Sequence, residues 1–304
     1  MHFTRLIGAA ALAVTALATT LPAQAADYKS EYKLSIVVGT NFPWGQGAVI
    51  WSDLVRERTK WRINIKVYPC TSLVQGDQTR EFTAIRQGVI DMAIGSMINW
   101  SPQVKELIFS LPFLMPDYPA IDALTQGKVG EQLFDILSKK GVVPLAWGEN
   151  GYRQLSNSVR EVKTPADIKG MKLRVVGSPL YIDTFTALGA NPTQMSWADA
   201  QPALASGAVD GQENPLSIYA GAKLYDVGQK YLSLWNYVAD PLVFVVNKDV
   251  WASWSPEDQK IVREAAIEAG KKEIVIARKG VTNTDDSLLK DIESHGVKVT
   301  VLSP

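Results

Sequence analysis

The sequence predicts an α/β fold with two lobes, and three features of the chain lead to this prediction. Short β-rich runs alternate with segments of helical period, which is typical of a parallel sheet with helices packed on its faces. The rhythm repeats in the second half of the chain, and 304 residues are enough for two cores. After Pro256 no proline occurs before His295, which predicts one or two long helices able to brace both lobes.

The first half of the chain shows a β-α-β-α-β series. Strands are predicted where β-branched and aromatic residues cluster or alternate with polar ones, and helices where apolar residues share one face. In chain order these elements are a strand at 32–38, a helix at 46–59, a strand at 63–68, a helix at 79–87 and a strand at 89–94.

The second half repeats the pattern, beginning with a strand at 141–147 that is predicted to end in the loop 148–151. Ser255 followed by Pro256 and two acids indicates a helix start, because serine caps the first turn and acids favour the positive end of the helix dipole. The other predicted elements are strands at 172–176, 241–246 and 297–301 and helices at 180–188 and from 197 to 205.

Residues 1–25 are predicted to be a secretory signal peptide. Arg5 supplies the basic start, an apolar run at 6–18 follows, and Ala23 and Ala25 form the small-residue cleavage pattern. The apolar run is shorter than the roughly 20 residues of a membrane-spanning helix. We therefore expect a soluble mature protein outside the cytoplasm.

The chain has 31 basic and 31 acidic residues, so its formal net charge is zero. Such a balance gives no reason to expect nucleic acid or an anionic membrane surface as a partner. Any anion must then be bound by a local site. Cys70 is the only cysteine, so no intrachain disulfide can form, and we expect it to be a buried small residue.

The residue types that most catalytic sites need are scarce. The only histidines are His2, within the predicted signal peptide, and His295, where a helix is expected to end. One remaining histidine and one cysteine are too few for a zinc site, and neither a P-loop nor a G-x-G-x-x-G motif occurs. No spacing singles out a pair of acids for glycoside chemistry. We expect a binding protein without metal or cofactor, and no enzyme.

Two arginines are candidates for anion binding because of their placement. Arg174 lies in the apolar strand at 172–176 just before a turn, and ligands of open α/β sheets bind at the carboxyl ends of strands. A cation buried there is costly unless paired, and a guanidinium group matches a carboxylate with two hydrogen bonds. An internal ion pair or solvent exposure is an equal alternative. Arg153, after the predicted loop 148–151, has the same two interpretations.

Five short motifs follow one another along the chain and together support a family resemblance. The chain resembles, from about Tyr32 to its C-terminus, the substrate-binding subunits of tripartite ATP-independent periplasmic (TRAP) transporters, the DctP-like family. The motifs are SLVQGD at 72–77 with Arg80 and Glu81, NGYRQ at 150–154, KTPADIKGMKLR at 163–174, LGANP at 188–192 and VDGQENP at 209–215.

The resemblance implies an α/β clamp of two lobes, each a central sheet flanked by helices, joined by crossing strands and a long bent helix. Lobe I would comprise residues 26–150 and 239–278, and lobe II residues 151–238 and 279–304. The sequence stops at Pro304 just after the last predicted strand, whereas family members usually continue into a further helix. A truncated second lobe is therefore one expectation.

The resemblance also implies the residues of a ligand site. Arg174 resembles the residue that grips the ligand carboxylate, and Arg153 resembles a second basic contact. Asn214 resembles a polar residue that hydrogen-bonds the same end of the ligand. Trp197 occupies a position at which relatives place an aromatic ring against the ligand, and Ser96 one that supplies a polar contact from the first lobe.

Phe42 and Trp44 follow the first strand and are predicted pocket walls from this placement alone, with core packing as an equal alternative. The implied function is periplasmic capture of a small organic acid and its delivery to the membrane subunits of a TRAP transporter by a monomeric protein. A C4-dicarboxylate, a sugar acid and an aromatic acid are all candidate ligands. A ligand-binding sensor and a periplasmic hydrolase or isomerase are the alternative functions.

Overall fold

The computed structural model describes residues 28–105 and 111–302. The predicted signal peptide lies outside the described residues. Within these two ranges nine strands form a single sheet and twelve α-helices pack around it. No helix in these ranges is both long enough and apolar enough to cross a membrane.

The nine strands are short except for two. They are β1 (Tyr32–Ser35), β2 (Ile65–Tyr68), β3 (Met92–Ser96), β4 (Val142–Asn157), β5 (Lys172–Val175), β6 (Asn191–Gln194), β7 (Gly211–Pro215), β8 (Tyr231–Asn247) and β9 (Lys298–Val301). The helices are α1 (Pro43–Arg58), α2 (Glu81–Arg86), α3 (Met97–Trp100), α4 (Tyr118–Thr125), α5 (Lys128–Lys139), α6 (Pro165–Ile168), α7 (Pro179–Ala187), α8 (Trp197–Ala205), α9 (Leu216–Gly221), α10 (Lys248–Ser253), α11 (Pro256–Ala277) and α12 (Ser287–Ser294).

The two long strands, β4 and β8, run antiparallel through both lobes. The strand order is β2-β1-β3-β8-β4-β7-β5-β6, with β9 beside β8. Residues 242–246 of β8 pair with β3 in the first lobe, whereas residues 231–234 pair with β9 in the second. Residues 153–157 of β4 pair with β7 in the second lobe. The predicted two-lobed α/β clamp with crossing strands is therefore confirmed, while the exact lobe boundaries stay a prediction.

The predicted loop at 148–151 is wrong, because β4 continues through it without a break. The pairing of β4 with β8 shifts register between Glu149 and Gly151, which marks a β-bulge. Gly151 has a φ of +113°, a conformation that glycine adopts without strain. The glycines that suggested a loop thus supply an irregularity inside a strand, at the point where β4 passes from one lobe to the other.

Two further expectations differ from the structure. Cys70 is exposed, with a φ of +57°, and is not the buried residue that we expected. The strand predicted at 241–246 is only the last part of β8. Its first part, at 231–240, mixes polar and aromatic residues and contains Asn236 with a φ of +46°, so it lacks the regular alternation that predicts a strand.

The long helix predicted after Ser255 is confirmed as α11, and it starts as the sequence indicates. The side-chain oxygen of Ser255 accepts a hydrogen bond of 3.1 Å from the backbone N–H of Asp258. The helix packs against α1 and β4. The helix continues without a break through Gly270, where an added Cβ would lie 2.2 Å from the backbone oxygen of Trp147 in β4. Gly270 is therefore required for the close approach of helix and strand.

We predict that Gly270→Ala destabilises the protein, although alanine normally favours a helix. The new methyl group must push α11 away from β4, and overpacking of this kind typically costs about 1–3 kcal/mol. Urea unfolding of the variant measures this loss. Lys271→Ala is the control, because Lys271 is the next residue of α11 and is exposed, so its free energy of unfolding should stay within about 0.5 kcal/mol of the wild type. Equal stability of Gly270→Ala and the wild type would contradict the close contact.

Candidate functional site

A small cavity lies between the lobes where β4 and β8 cross. Strands from both lobes end at it, and the residues that follow or end β1, β3, β5 and β7 form its walls, together with the first residue of α8. Ligands of open α/β sheets bind at the carboxyl ends of the strands, so this is the expected place for a site. The free volume of about 20 Å³ is room for about one water molecule.

Arg174 of β5 reaches this cavity as a buried cation that forms no ion pair within 4.0 Å with any residue of the described ranges, although the charge of Glu213 acts on it from further away. Its side chain is 1% exposed, and its Nε donates a hydrogen bond of 3.0 Å to the backbone oxygen of Met195. Its Nη2 is buried and has no hydrogen-bond partner among the described residues. The guanidinium carbon lies 5.8 Å from the ring centroid of Trp197. Burial lowers the pKa of Arg174 to about 10, so the side chain is still cationic at neutral pH.

Arg153 of β4 has the opposite environment, because two acids neutralise it. Its Nε and Nη2 bond the carboxylate of Glu213, and Nη2 also donates to the Glu213 backbone oxygen. Its Nη1 donates to Asp240 at 3.0 Å. All three side chains are at most 3% exposed. These four hydrogen bonds occupy four of the five N–H groups of a guanidinium, which leaves one for any ligand.

Asp240 of β8 connects the two lobes at the cavity wall. Its carboxylate accepts hydrogen bonds from Ser96 Oγ at 2.6 Å and from Asn150 Nδ2 at 2.8 Å, in addition to the one from Arg153. Burial raises the pKa of Asp240, while Arg153 and the two hydrogen bonds act in the opposite direction. In all three hydrogen bonds the Asp240 oxygens are the acceptors, as expected of an ionised carboxylate.

Aromatic and amide side chains complete the walls. The indole N–H of Trp44 donates to the backbone oxygen of Ile94 at 2.7 Å, which fixes its ring beside the cavity. The backbone N–H of Trp197 donates to Gln78 Oε1 at 2.9 Å, and Gln78 Nε2 donates to Asn99 Oδ1 at 2.7 Å. Gln78 and Asn99 of the first lobe thus hold the first turn of α8 of the second lobe.

Two larger cavities, of about 860 and 760 Å³, are both lined by Trp235, and the smaller of these two shares Asn150 with the candidate cavity. Neither is lined by an arginine, and the larger one is mostly apolar. We place the candidate site at the small cavity because a buried cation without a counter-ion is a stronger indication of an anionic ligand than volume alone.

The structure brings most of the predicted site residues together. Six of them line the small cavity: Ser96, Trp44, Arg153, Arg174, Trp197 and Asn214. Phe42 is the exception, since it does not line the cavity and packs in the core of the first lobe, in agreement with the core-packing alternative. Its ring lies so close to Gly221 that a Cβ there would be 2.8 Å away. That the other six bind a ligand stays a prediction.

Several residues of the cavity were not predicted as site residues. Asp240 is, like Arg174, a charged residue inside a strand. It lies in the part of β8 that the sequence did not predict as a strand, so it was not recognised as a site residue. Asn150 belongs to the motif NGYRQ at 150–154, of which only Arg153 was predicted as a site residue. Gln78 and Asn99 gave no signal, because they lie in short irregular helices whose packing only the fold defines.

The residues that could support other chemistry lie elsewhere. His295 follows the last turn of α12, stacks on the ring of Tyr225 at a centroid distance of 4.0 Å and does not line the cavity. Within residues 28–105 and 111–302, no three His, Cys, Asp or Glu side chains are grouped so that they could hold a metal ion. The arrangement at the cavity is therefore one that can bind and orient an anion.

We predict that the two arginines affect stability in different ways. Arg153→Gln leaves Glu213 and Asp240 buried without a counter-ion, which should lower the free energy of unfolding by about 3–5 kcal/mol. Arg174→Gln removes an unpaired buried cation, so stability should stay the same or rise. Urea unfolding at neutral pH of protein refolded without ligand makes the comparison. Similar losses in both variants would show that Arg174 has a counter-ion.

Comparison with known proteins identifies the family. The sequence profile described as "Bacterial extracellular solute-binding protein, family 7", DctP, matches residues 34–304. The 2,3-diketo-L-gulonate-binding periplasmic protein of Escherichia coli K12 is 36% identical to the chain over 252 residues, which are 82% of this chain and 74% of that protein.

Solved structures agree with the profile. A TRAP periplasmic solute-binding protein from Ralstonia eutropha H16, with bound (S)-2-hydroxy-2-methyl-3-oxobutanoate, is 70% identical and superimposes with a TM-score of 0.90 over 91% of this chain and 88% of its own. A second, from Sulfurospirillum deleyianum with bound succinate, is 29% identical with a TM-score of 0.82 over 90% and 88% of the two chains. The resemblance predicted from five short motifs is thus confirmed, and the chain belongs to the DctP family of bacterial extracellular solute-binding proteins.

Proposed function

We propose that this chain captures a small organic acid in the cavity between its lobes and presents it to the membrane subunits of a TRAP transporter. The observation that carries the proposal is the guanidinium group of Arg174, which is buried and forms no ion pair in the part of the chain that the structure describes. Membership of the family supports the transport role, and the predicted signal peptide supports a periplasmic location.

A ligand carboxylate supplies what Arg174 lacks. Leaving a buried cation unpaired is costly, whereas a carboxylate in front of the guanidinium fork can accept two charge-assisted hydrogen bonds. Trp197 holds one face of the guanidinium group, so the orientation of the fork is set before the ligand arrives. A ligand bound in this way replaces water with bonds that are stronger in the enclosed cavity.

The walls favour a short ligand with both polar and apolar groups. Val37, Val38, Val176 and Ile218 present aliphatic side chains. Amide side chains that can bond hydroxyl or oxo groups stand between them, namely Asn99, Asn150 and Asn214. The relative that is 70% identical holds a five-carbon hydroxy-oxo acid with two methyl groups. We extend this to the present chain and propose a short, branched 2-hydroxy or 2-oxo acid as its ligand.

Entry of such a ligand requires the lobes to separate. The free volume of about 20 Å³ is too small for a five-carbon acid, so the walls must move apart to admit and hold it. The bulge of β4 between Glu149 and Gly151 lies where the strand passes between lobes, and it offers a place for a hinge. The ligand is expected to leave unchanged, since solute binding involves no reaction.

The capture function predicts a thermal shift with the proper organic acid. Ligand at about 100 times its dissociation constant adds about 2.7 kcal/mol of stability, which raises the melting temperature by several degrees. The panel should contain (S)-2-hydroxy-2-methyl-3-oxobutanoate, other short hydroxy and oxo acids, succinate and a sugar acid. Arg174→Gln is the control and should show no shift. If no acid at millimolar concentration moves the midpoint, the proposed function fails, and mass spectrometry that finds a converted ligand would indicate an enzyme.

The shape of the Arg174 fork, and not only its charge, is expected to be essential. Arg174→Lys keeps the cation but cannot offer two parallel N–H donors, so the affinity for the acid should fall at least about tenfold. Calorimetric titration measures the change. Arg263→Lys is a matched control, because Arg263 also stacks on a tryptophan, Trp251, but lies outside the cavity. Equal affinity of Arg174→Lys and the wild type would remove Arg174 as the anchor.

A further inference from the structure

Among residues 28–105 and 111–302, the walls of the small cavity contain two cationic side chains, of which only one forms ion pairs. Arg153 and Arg174 are the cationic side chains among the residues that line it. Arg174 has no carboxylate among the described residues within 4.0 Å, whereas Arg153 forms ion pairs with Glu213 and Asp240. A second anionic group on a ligand would therefore find no second unpaired cation among the described residues that line the cavity.

Asp240 places a negative charge in the cavity wall itself. It lines the cavity, whereas Glu213 is not among the lining residues. Ser96, Asn150 and Arg153 hold the Asp240 carboxylate in place with hydrogen bonds of 2.6, 2.8 and 3.0 Å. An ionised ligand group that approaches this wall meets a like charge in a low-dielectric surrounding, which is strongly unfavourable.

We propose that Asp240 determines the charge of the ligand, so that the cavity accepts monoanions and rejects dianions of the same shape. This inference rests on the proposed function, because it concerns the same cavity and the same anchor, Arg174. Asp240 acts in two ways. It completes the neutralisation of Arg153, and it repels a second carboxylate on the ligand directly. The repulsion selects against dianionic ligands and adds nothing to the affinity for monoanionic ones.

The neutral groups of the wall define what the second end of the ligand can be. Ser96 already donates to Asp240, and the amides of Asn99, Asn150 and Asn214 can bond hydroxyl and oxo groups without a charge. A hydroxyl group can also donate to Asp240, which a carboxylate cannot do. The ligand class is thus a monocarboxylate with uncharged polar substituents, and C4-dicarboxylates fall outside it.

A pair of ligands that differ in charge but not in size tests the inference. One is (S)-2-hydroxy-2-methyl-3-oxobutanoate, and the other is 2-hydroxy-2-methylpropanedioate, in which an ionised oxygen replaces the terminal methyl group. Both carboxyl groups of the second ligand are ionised at about pH 8. Calorimetric titration of the wild type at this pH should show at least about tenfold tighter binding of the monoanion.

The variant Asp240→Asn assigns the preference to this residue. It keeps the shape of the side chain and removes its charge, so the preference for the monoanion should fall by about tenfold. Should this variant not fold, Asp240→Ser provides the same test, since it also removes the charge of this side chain and leaves a polar group in its place. Asp258→Asn is the matched control, because Asp258 is equally buried and ion-paired, with Arg62, but lies outside the cavity. Its preference should equal that of the wild type.

The outcomes separate the inference from the proposed function. If the wild type binds both ligands equally, or if Asp240→Asn keeps the full preference, Asp240 does not select the charge, while capture of an organic acid stands. If the wild type binds neither of these ligands nor any other acid, the proposed function fails and the inference fails with it. Preference in the wild type that is lost in Asp240→Asn and kept in Asp258→Asn supports the inference.

Discussion

Where β4 and β8 cross between the lobes, Arg153 holds the carboxylates of Glu213 and Asp240 in a cluster shut off from water. Three strands contribute one residue each, so the cluster fixes β4, β7 and β8 relative to one another. A buried ion pair contributes little net stability, but loss of one partner leaves the others uncompensated. Its importance here lies in geometry and charge. Arg153 and Asp240 of the cluster form part of the cavity wall, and Arg174 is the cation among the described lining residues that forms no ion pair.

The fold explains why both arginines meet at this point. Each lobe has parallel strands whose carboxyl ends face the other lobe, and the residues at or just after these ends, such as Ser96 and Val176, form the walls. β4 and β8 carry residues of the site, Arg153 and Asp240, within the strands that join the lobes. The connection between the lobes and the wall of the candidate site are therefore made of the same segments, so a change at the cavity acts directly on the segments that join the lobes.

Much of this arrangement could be predicted from local patterns, because several elements follow them closely. The start of α11 at Ser255 and Pro256 and the charge of Arg174 within an apolar strand are signals that a few neighbouring residues create. The long strands could not be predicted in this way. Gly151 and Asn236 have positive φ angles inside β4 and β8, and only pairing between distant segments keeps these positions in a strand.

The ion pairs of Arg153 could not be predicted from the sequence for a related reason. Its partners Glu213 and Asp240 are 60 and 87 residues away, and no local pattern links them to it. The sequence left open whether each arginine faces a ligand or an internal ion pair. In the structure Arg153 forms internal ion pairs, whereas Arg174 is buried and forms no ion pair with a described residue, so that a ligand contact of Arg174 stays a prediction.

The sharing of β4 and β8 has a consequence for how such proteins can be recombined. Neither lobe contains a complete sheet of its own, because β4 and β8 provide the central pair of strands in both lobes. A lobe transferred to a relative would contain only part of β4 and of β8. It would also lack part of the cluster formed by Arg153, Glu213 and Asp240. Exchange of specificity between family members is therefore expected to proceed by substitutions at the crossing, and not by transfer of a lobe as a module.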